Sequence, residues 1–206
     1  EVIKFLDPKP GNIILDATVD GGGHAKAILE KIAPNGKLIG IDQDKQLLDA
    51  LNFQFSISNF QKNISLLHGN FRNIDRLLES CNIGALDGVL YDLGMSSLQL
   101  EESGRGFTFL KDEPLIMTYK FPIKPGDLTA KDILNTWPEK EIAEILFHYG
   151  EEKYSRRIAR NIVERRGNKL LQSTFELAEL VKQSVPFRPF HRIHPATKTF
   201  QALRIA

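Results

Sequence analysis

The 206-residue chain has a single cysteine, Cys81, and this scarcity excludes an intramolecular disulfide and fits a reducing cytosol. It also lacks an apolar run near the ~18–20 residues that a transmembrane helix requires, so no membrane partner is expected. Neither His24 nor His194 belongs to a cluster with metal-ligand spacing, and no metal site is expected. These absences predict a cytoplasmic protein.

Charge is balanced over the whole chain but unevenly distributed. From Glu151 onward there are twelve Lys/Arg and five Asp/Glu, whereas the first 150 residues carry fifteen and twenty-one. A basic C-terminal third on an acidic body is typical of a protein that binds a polyanion. A helix face solvated by arginines would give the same counts, so both interpretations stay open.

One βαβ unit can be recognised in the segment 12–42. A short apolar run ends in Asp16, as a buried parallel strand would, and the glycines 21–23 follow as a tight turn. Apolar residues at helical spacing then lead to a second strand that ends in Asp42. Glycines let a ligand approach the backbone, and an acid at the end of the second strand can accept hydrogen bonds from both hydroxyls of a ribose. The segment therefore predicts a site for an adenosine-containing ligand.

The third glycine of the dinucleotide fingerprint is missing, because Lys26 occupies its position. A pyrophosphate cradle is thus less favoured than a site for S-adenosylmethionine, which has no phosphate. A glycine turn without any ligand, in an ordinary doubly wound protein, remains the alternative.

Strand and helix patterns alternate as far as residue 92, which predicts an α/β fold with a mostly parallel sheet. Within it, the mostly polar segment 53–63 is expected to be a loop, and a helix is expected from Ile74 to Cys81. Ligands of such sheets bind beyond the carboxyl ends of the strands. Three of the four predicted strands end in an acid, namely Asp16, Asp42 and Asp92, and the remaining one leads to Phe71. Phe71 would flank an adenine or pack in the core.

Beyond this point the pattern becomes that of an all-helical block, which we interpret as an inserted domain. Its long basic helix is expected from Glu151 to Arg166. Expected domains are therefore a sheet domain over 1–104 and 188–206 and a helical insertion over 105–187. Four strands without a return after the insertion make an incomplete doubly wound sheet, so we expect further strands beyond residue 206.

Several segments resemble the MraW/RsmH family, bacterial methyltransferases that act on N4 of a cytidine in the decoding region of 16S rRNA. The segments follow the family order along the chain: DATVDGGGHAKAIL, IDQD, HGNF, DGVLYDLGMSSLQL, GRGFTF, YGEEKYSRRIARNIVERR and HPATKTFQALRI. The resemblance implies a Rossmann-like class I S-adenosylmethionine-dependent fold with an inserted all-helical domain for RNA recognition. The partner it implies is 16S rRNA in the small ribosomal subunit, and the oligomeric state stays open, with a homodimer as one option.

The resemblance also implies roles for individual residues. The methionine end of the cofactor would contact Gly22, Gly23 and His24, its ribose would contact Asp42, and the pocket would be completed by Phe71, Asp92 and Gln99. As a hypothesis for catalysis, Asp92 accepts a hydrogen bond from the cytidine amine or orients the cofactor. Phosphate contacts are expected from a basic set that consists of Arg105, Arg156, Arg157, Arg160, Arg188, Arg192, His194 and Lys198.

Two departures from the family pattern bear on activity. Asp20 occupies a position where the family usually has glycine, and the PLDMR stretch of the family has Ile116 and Thr118 in place of its acid and its base. Two other functions therefore stay under consideration: a nucleotide-dependent oxidoreductase, and a non-catalytic RNA-binding protein that retains the methyltransferase fold.

Overall fold

Four short apolar segments form parallel strands in the computed structural model, which describes residues 1–81, 83–95, 100, 102–186 and 193–206. The order across the sheet is β3-β2-β1-β4, and every adjacent pair is parallel. Leu15 of β1 is level with Ile39 of β2 and with Val89 of β4. The predicted α/β class is confirmed. The strands are β1 (Ile13–Asp16), β2 (Lys37–Asp42), β3 (Ile64–His68) and β4 (Gly88–Leu90).

Helices cover both faces of this sheet, because successive side chains of a buried parallel strand point to opposite sides. Ile14 packs with apolar residues of α2 and α3, whereas Leu15 packs with Ile39, Ile41 and partly buried residues of α4. A 3₁₀ turn, Phe71–Asn73, precedes α4. The helices of this part are α1 (Val2–Leu6), α2 (Gly23–Ile32), α3 (Lys45–Ser56) and α4 (Ile74–Glu79).

Two predicted boundaries in this part were wrong. The mostly polar segment 53–63 was expected to be a loop, yet α3 continues to Ser56 because Phe55 is buried against the core around Ile14. In addition, α4 ends at Glu79 rather than at Cys81, which lies after the helix and is half-buried.

From Ala130 onward the described chain is mostly helical, as predicted, but the all-helical block was expected from residue 105 and the described residues 102–129 contain no helix. Helix α6 packs against α7 and α9, and α7 packs further against α5 and α8. Thr129 caps α5 in a capping box with Asp132, in which each side chain accepts a hydrogen bond from the other residue's backbone N–H. The helices are α5 (Ala130–Thr136), α6 (Glu139–His148), α7 (Ser155–Asn168), α8 (Thr174–Ser184) and α9 (Thr197–Ile205).

Helix α7 begins at Ser155 and not at Glu151, where its polar pattern starts. Glu151 has a positive φ of 50°, which a helix does not allow, and the Glu152 carboxylate accepts a hydrogen bond from the Tyr154 N–H. The neighbouring Gly150 has no room for a side chain, because a Cβ there would lie 2.4 Å from the carbonyl oxygen of Lys198. The positive φ at Glu151 and the turn closed by the Glu152 carboxylate therefore delay the start of α7 to Ser155.

Contacts divide the chain into two units: Glu1–Ser96 with Tyr119–Ile123, and Ser97–Thr118 with Lys124–Ala206. The sheet unit ends at Ser96 rather than at residue 104, and the division differs from the expected boundaries in two further ways. The final helix α9 belongs to the helical unit, because it packs on α6. The short segment Tyr119–Ile123 belongs to the sheet unit, where Phe121 exchanges backbone hydrogen bonds with Gln43 and Lys45.

Candidate functional site

The first strand delivers a buried carboxyl group to the edge of the sheet. Asp16 is fully buried, and its Oδ1 accepts a hydrogen bond of 3.1 Å from the Thr18 N–H. Its Oδ2 has no hydrogen-bond partner among the described residues. Burial raises the pKa of Asp16 from 3.8 to about 6, against the opposing effects of the Thr18 N–H and of His24. Such an oxygen would gain from a donor or a cation supplied by a ligand.

The turn after β1 is held in left-handed backbone geometry. Asp20 has φ 41° and Gly22 has φ 77°. The aspartate at position 20, where the family usually has glycine, thus retains the left-handed turn, and aspartate tolerates this conformation better than most residues. A Cβ on Gly22 would lie 2.6 Å from Leu51, whereas one on Gly23 would meet no described atom within 4 Å. The buried side of the turn is therefore filled and the side at Gly23 is open.

Helix α2 begins at this turn without a side-chain cap from any described residue. The N–H groups in the first turn of a helix have no partner within the helix and favour electronegative groups. The open position at Gly23 thus stands beside backbone donors that can bind a carboxylate.

The second strand ends in Asp42, whose carboxylate is fixed by the backbone. Its Oδ1 accepts a hydrogen bond of 2.9 Å from the Asp44 N–H and its Oδ2 one of 3.1 Å from the Asp20 N–H. Burial raises the pKa of this carboxyl group, which the two N–H donors oppose. Each carboxylate oxygen can accept a second hydrogen bond, so Asp42 can still bind a pair of hydroxyl groups.

Thr18, which we did not predict from the sequence, joins the ends of β1 and β4. Its backbone N–H donates to Asp16 and its Oγ1 accepts a hydrogen bond of 2.8 Å from the Asp92 N–H. The Asp92 carboxylate is exposed and its Oδ2 lies 3.2 Å from His24 Nε2. Its Oδ1 has no hydrogen bond within the part of the chain that the structure describes. Asp92 is therefore positioned from two sides and keeps one oxygen for a ligand.

Aromatic residues meet where β3 and β4 end. The ring of Phe71 contacts that of Tyr91 edge to face, with centroids 5.7 Å apart and planes at 84°. Tyr91 directly follows β4 and is 48% exposed, and the sequence analysis did not single it out. The Asn70 side chain donates to Gln43 Oε1 at 2.9 Å and ties this turn to the loop after β2.

The predicted cofactor residues Gly22, Gly23, His24, Asp42, Phe71 and Asp92 thus all lie at the carboxyl ends of the strands, or in the turns and first helical residues that follow them. Gln99 lies outside the described residues. The structure also brings three residues to this edge that the prediction omitted, namely Thr18, Tyr91 and Phe121. Thr18 could have been found from the sequence, because it follows the strand-end Asp16 by two positions. An Asp side chain often accepts a hydrogen bond from the backbone N–H two residues later.

The predicted RNA-binding residues lie in the helical unit, in different settings. Arg156, Arg157 and Arg160 are exposed on α7, as a polyanion contact requires. Arg160 lies 3.9 Å from Glu139. Lys198 donates from Nζ to the Glu151 carbonyl at 2.9 Å.

Two further members of the basic set are held by neighbours. His194 stacks on Phe109 with ring centroids 4.6 Å apart, and its Nδ1 accepts a hydrogen bond from the Ala196 N–H. Arg105 is only 6% exposed, so the structure does not present it as the phosphate contact that we expected. Its guanidinium instead donates to the Thr118 carbonyl and lies 5.5 Å from the ring centre of Phe107. Arg188 and Arg192 are not among the described residues.

Backbone hydrogen bonds fix the segment 114–118, in which Ile116 and Thr118 replace the acid and the base of the family's PLDMR stretch. The Met117 N–H donates to the Arg105 carbonyl, and the Ile116 carbonyl accepts from Ala130. The side chains of Ile116 and Thr118 are not needed for these contacts. Substitution at both positions is therefore compatible with the fold of this unit.

Among the residues described, no group of three or more His, Cys, Asp or Glu side chains could hold a metal ion. The described helices are also too short or too polar to cross a membrane.

A four-stranded parallel sheet covered by helices, with acids at the ends of three strands, defines a Rossmann-like α/β protein. The model of the MraW methylase family matches residues 1–206, and the chain belongs to that family. It is 46% identical over 206 residues to "Ribosomal RNA small subunit methyltransferase H" of Syntrophotalea carbinolica and 43% identical over 207 residues to the protein of the same name from Brevibacillus brevis. Both comparisons cover all of this chain and 64% of the relative.

The chain thus spans about 64% of the length of these relatives. Among solved structures, Aeropyrum pernix fibrillarin in complex with S-adenosyl-L-methionine matches with a TM-score of 0.36 and 21% identity. That match covers 42% of this chain and 36% of fibrillarin.

Proposed function

We propose that this protein is an S-adenosylmethionine-dependent methyltransferase. Its substrate would be the N4 exocyclic amine of a cytidine in the decoding region of 16S rRNA, in the small ribosomal subunit. The observation that carries the proposal is the Asp42 carboxylate, which two backbone N–H groups fix beside a glycine turn that is open at Gly23. Membership of the MraW methylase family and the names of the relatives support it.

The residues at this edge fit the cofactor part by part. Asp42 would hold the two ribose hydroxyls, and the Phe71–Tyr91 pair would flank the adenine. The methionine carboxylate would meet the N–H groups of the first turn of α2, and the methionine ammonium would lie toward the unpartnered oxygen of Asp16. Bound there, S-adenosylmethionine supplies an electrophilic methyl group on a sulfonium.

Asp92 would act on the acceptor. The lone pair of a cytosine amine is delocalised into the ring, which makes the nitrogen a poor nucleophile. A carboxylate oxygen that accepts a hydrogen bond from this amine holds the nitrogen in place and favours its pyramidal form. Thr18 and His24 position the carboxylate from its backbone and from its Oδ2, which leaves Oδ1 for the amine.

The helical unit would bind the rRNA, in line with its surplus of basic residues and the exposed arginines of α7. The target base must leave the stack to reach a site at the sheet edge. We therefore assign cofactor binding to the sheet unit and substrate recognition to the helical unit.

The test is methyl transfer from radiolabelled S-adenosylmethionine to small subunits that lack the modification. Asp92→Asn should lower the transfer rate roughly ten- to hundredfold, the range for losing one charged hydrogen bond. Asp75→Asn, an exposed acid on α4, serves as the control. Full activity of Asp92→Asn would refute the role of Asp92, and cofactor binding without any transfer by the parent protein would favour the non-catalytic alternative.

A further inference from the structure

A groove of about 940 Å³ lies in the helical unit. Side chains of α6, from Glu139 to His148, form one wall, and the segment Lys153–Arg160 forms the other. We call it the α6–α7 groove. Its volume is at the upper end of the roughly 300–1,000 Å³ that clefts for small ligands occupy, which leaves room for part of a polymer.

The α6–α7 groove has a surplus of positive charge. Its two carboxylates, Glu139 and Glu144, each lie 3.9 Å from a cation, Arg160 and Lys140 respectively. Three further cations line the same groove, and in the described chain they have no carboxylate partner: Lys153, Arg156 and Arg157. Exposed cations without a partner attract a polyanion, with a strength that falls as salt is added.

The groove also presents an aromatic face. Phe147, on the last turn of α6, is 56% exposed and lines the groove. Its ring contacts that of His148 edge to face, with centroids 5.2 Å apart and planes at 81°. The exposed Phe147 ring is therefore available for stacking in the groove.

We propose that the α6–α7 groove binds an unpaired segment of RNA, with a base stacked on Phe147 and the adjoining phosphates on Lys153, Arg156 and Arg157. A charged groove with an aromatic platform is how single strands are bound without a sequence code. An A-form duplex keeps its bases stacked inside, so it could use the cations but not the ring. This inference rests on the proposed function for the class of polymer, and it adds a stacking residue and the requirement for a single strand.

The experiment measures binding of a fluorescently labelled single-stranded RNA, and of the same sequence as a duplex, by anisotropy with the full chain. Phe147→Leu retains an apolar side chain but removes the ring, and it should weaken single-strand binding by about 5- to 150-fold without changing duplex binding. Phe175→Leu is the matched control, because Phe175 is 49% exposed on α8 and lies outside the groove.

Charge is tested separately through salt dependence. The double variant Arg156→Gln/Arg157→Gln should reduce the slope of log affinity against log salt by about 1.4 for a single strand, since each lost phosphate contact contributes about 0.7. Lys182→Gln on α8 should leave the slope unchanged.

The groove assignment is overturned if Phe147→Leu binds the single strand as tightly as the parent protein, or if the duplex loses as much affinity as the single strand. It is also overturned if the parent protein binds no single strand. Calorimetry with S-adenosylhomocysteine on the same samples separates these results from a failure of the proposed function, because cofactor binding should be equal in all variants.

Discussion

Replacing Asp16 with asparagine is expected to stabilise the sheet unit at about pH 8 and to have a smaller effect at about pH 4.5. Burial raises the pKa of this carboxyl group from 3.8 to about 6, so the folded chain holds the proton more tightly than the unfolded chain does. The contribution of Asp16 to stability is therefore highest below about pH 4, falls as pH rises to about 6, and stays low at higher pH.

The two pKa values set the size of this effect. A difference of one pKa unit corresponds to roughly 1.4 kcal/mol, so the raised pKa of Asp16 lowers the stability of the folded parent protein by about 3 kcal/mol above pH 7. About 2 kcal/mol of this stability is lost between pH 4.5 and pH 8. Asparagine keeps the acceptor for the Thr18 N–H and carries no charge. Its amide nitrogen replaces the oxygen that has no partner, at a cost that does not vary with pH.

Amide hydrogen exchange of Ile14 and Leu15 in β1 is the suitable assay, because the single tryptophan, Trp137, lies in the helical unit and would report on that unit. After correction for intrinsic exchange rates, protection gives the free energy of opening. The free energy of opening of Asp16→Asn, relative to that of the parent protein, should increase by about 2 kcal/mol between pH 4.5 and pH 8. A difference that is the same at both pH values, or the same as that of Asp75→Asn, would refute the assignment of a raised pKa to Asp16.

Three other substitutions test the local geometry. Gly22→Ala should destabilise the chain by about 1–3 kcal/mol in urea unfolding, since its φ is 77° and its Cβ would lie 2.6 Å from Leu51. Gly23→Ala should change stability by less than about 1 kcal/mol and yet lower the affinity for S-adenosylhomocysteine, because its Cβ meets no described atom and would occupy the open side of the turn. Equal losses of stability in these two variants would contradict this view of the turn. Thr129→Ala should cost about 1 kcal/mol by removing the capping box of α5, and an unchanged midpoint of thermal unfolding would count against that cap.

The strand ends could be predicted from the sequence because the signal is local. A buried strand followed by an acid, a glycine turn and an apolar helix specifies both the element and the position of its carboxylate. Asp16, Asp42 and Asp92 lie where the parallel sheet was expected to place them. The start of α7 was predicted four residues too early, because the pattern does not show that Glu151 adopts a positive φ.

The sequence patterns did not predict contacts between residues that are distant in sequence. Phe121 pairs with Gln43 and Lys45 although about eighty residues separate them, and no periodicity marks that segment. Arg105 was assigned to RNA because a basic residue in a glycine-rich stretch is usually exposed, whereas Phe107 and the Thr118 carbonyl hold it in the interior. Burial of a charged side chain depends on such tertiary partners.

Calorimetric titration of S-adenosylhomocysteine into the parent protein, Asp42→Asn and the exposed control Asp49→Asn tests the central claim most directly, with NAD as the competing ligand. The parent protein and the control should bind S-adenosylhomocysteine with micromolar affinity, about −8 kcal/mol, and should not bind NAD. Asp42→Asn should bind roughly 10- to 150-fold more weakly, as expected for the loss of a charged acceptor. Equal binding by Asp42→Asn, or binding of NAD in preference, would contradict the assignment of this edge of the sheet to S-adenosylmethionine.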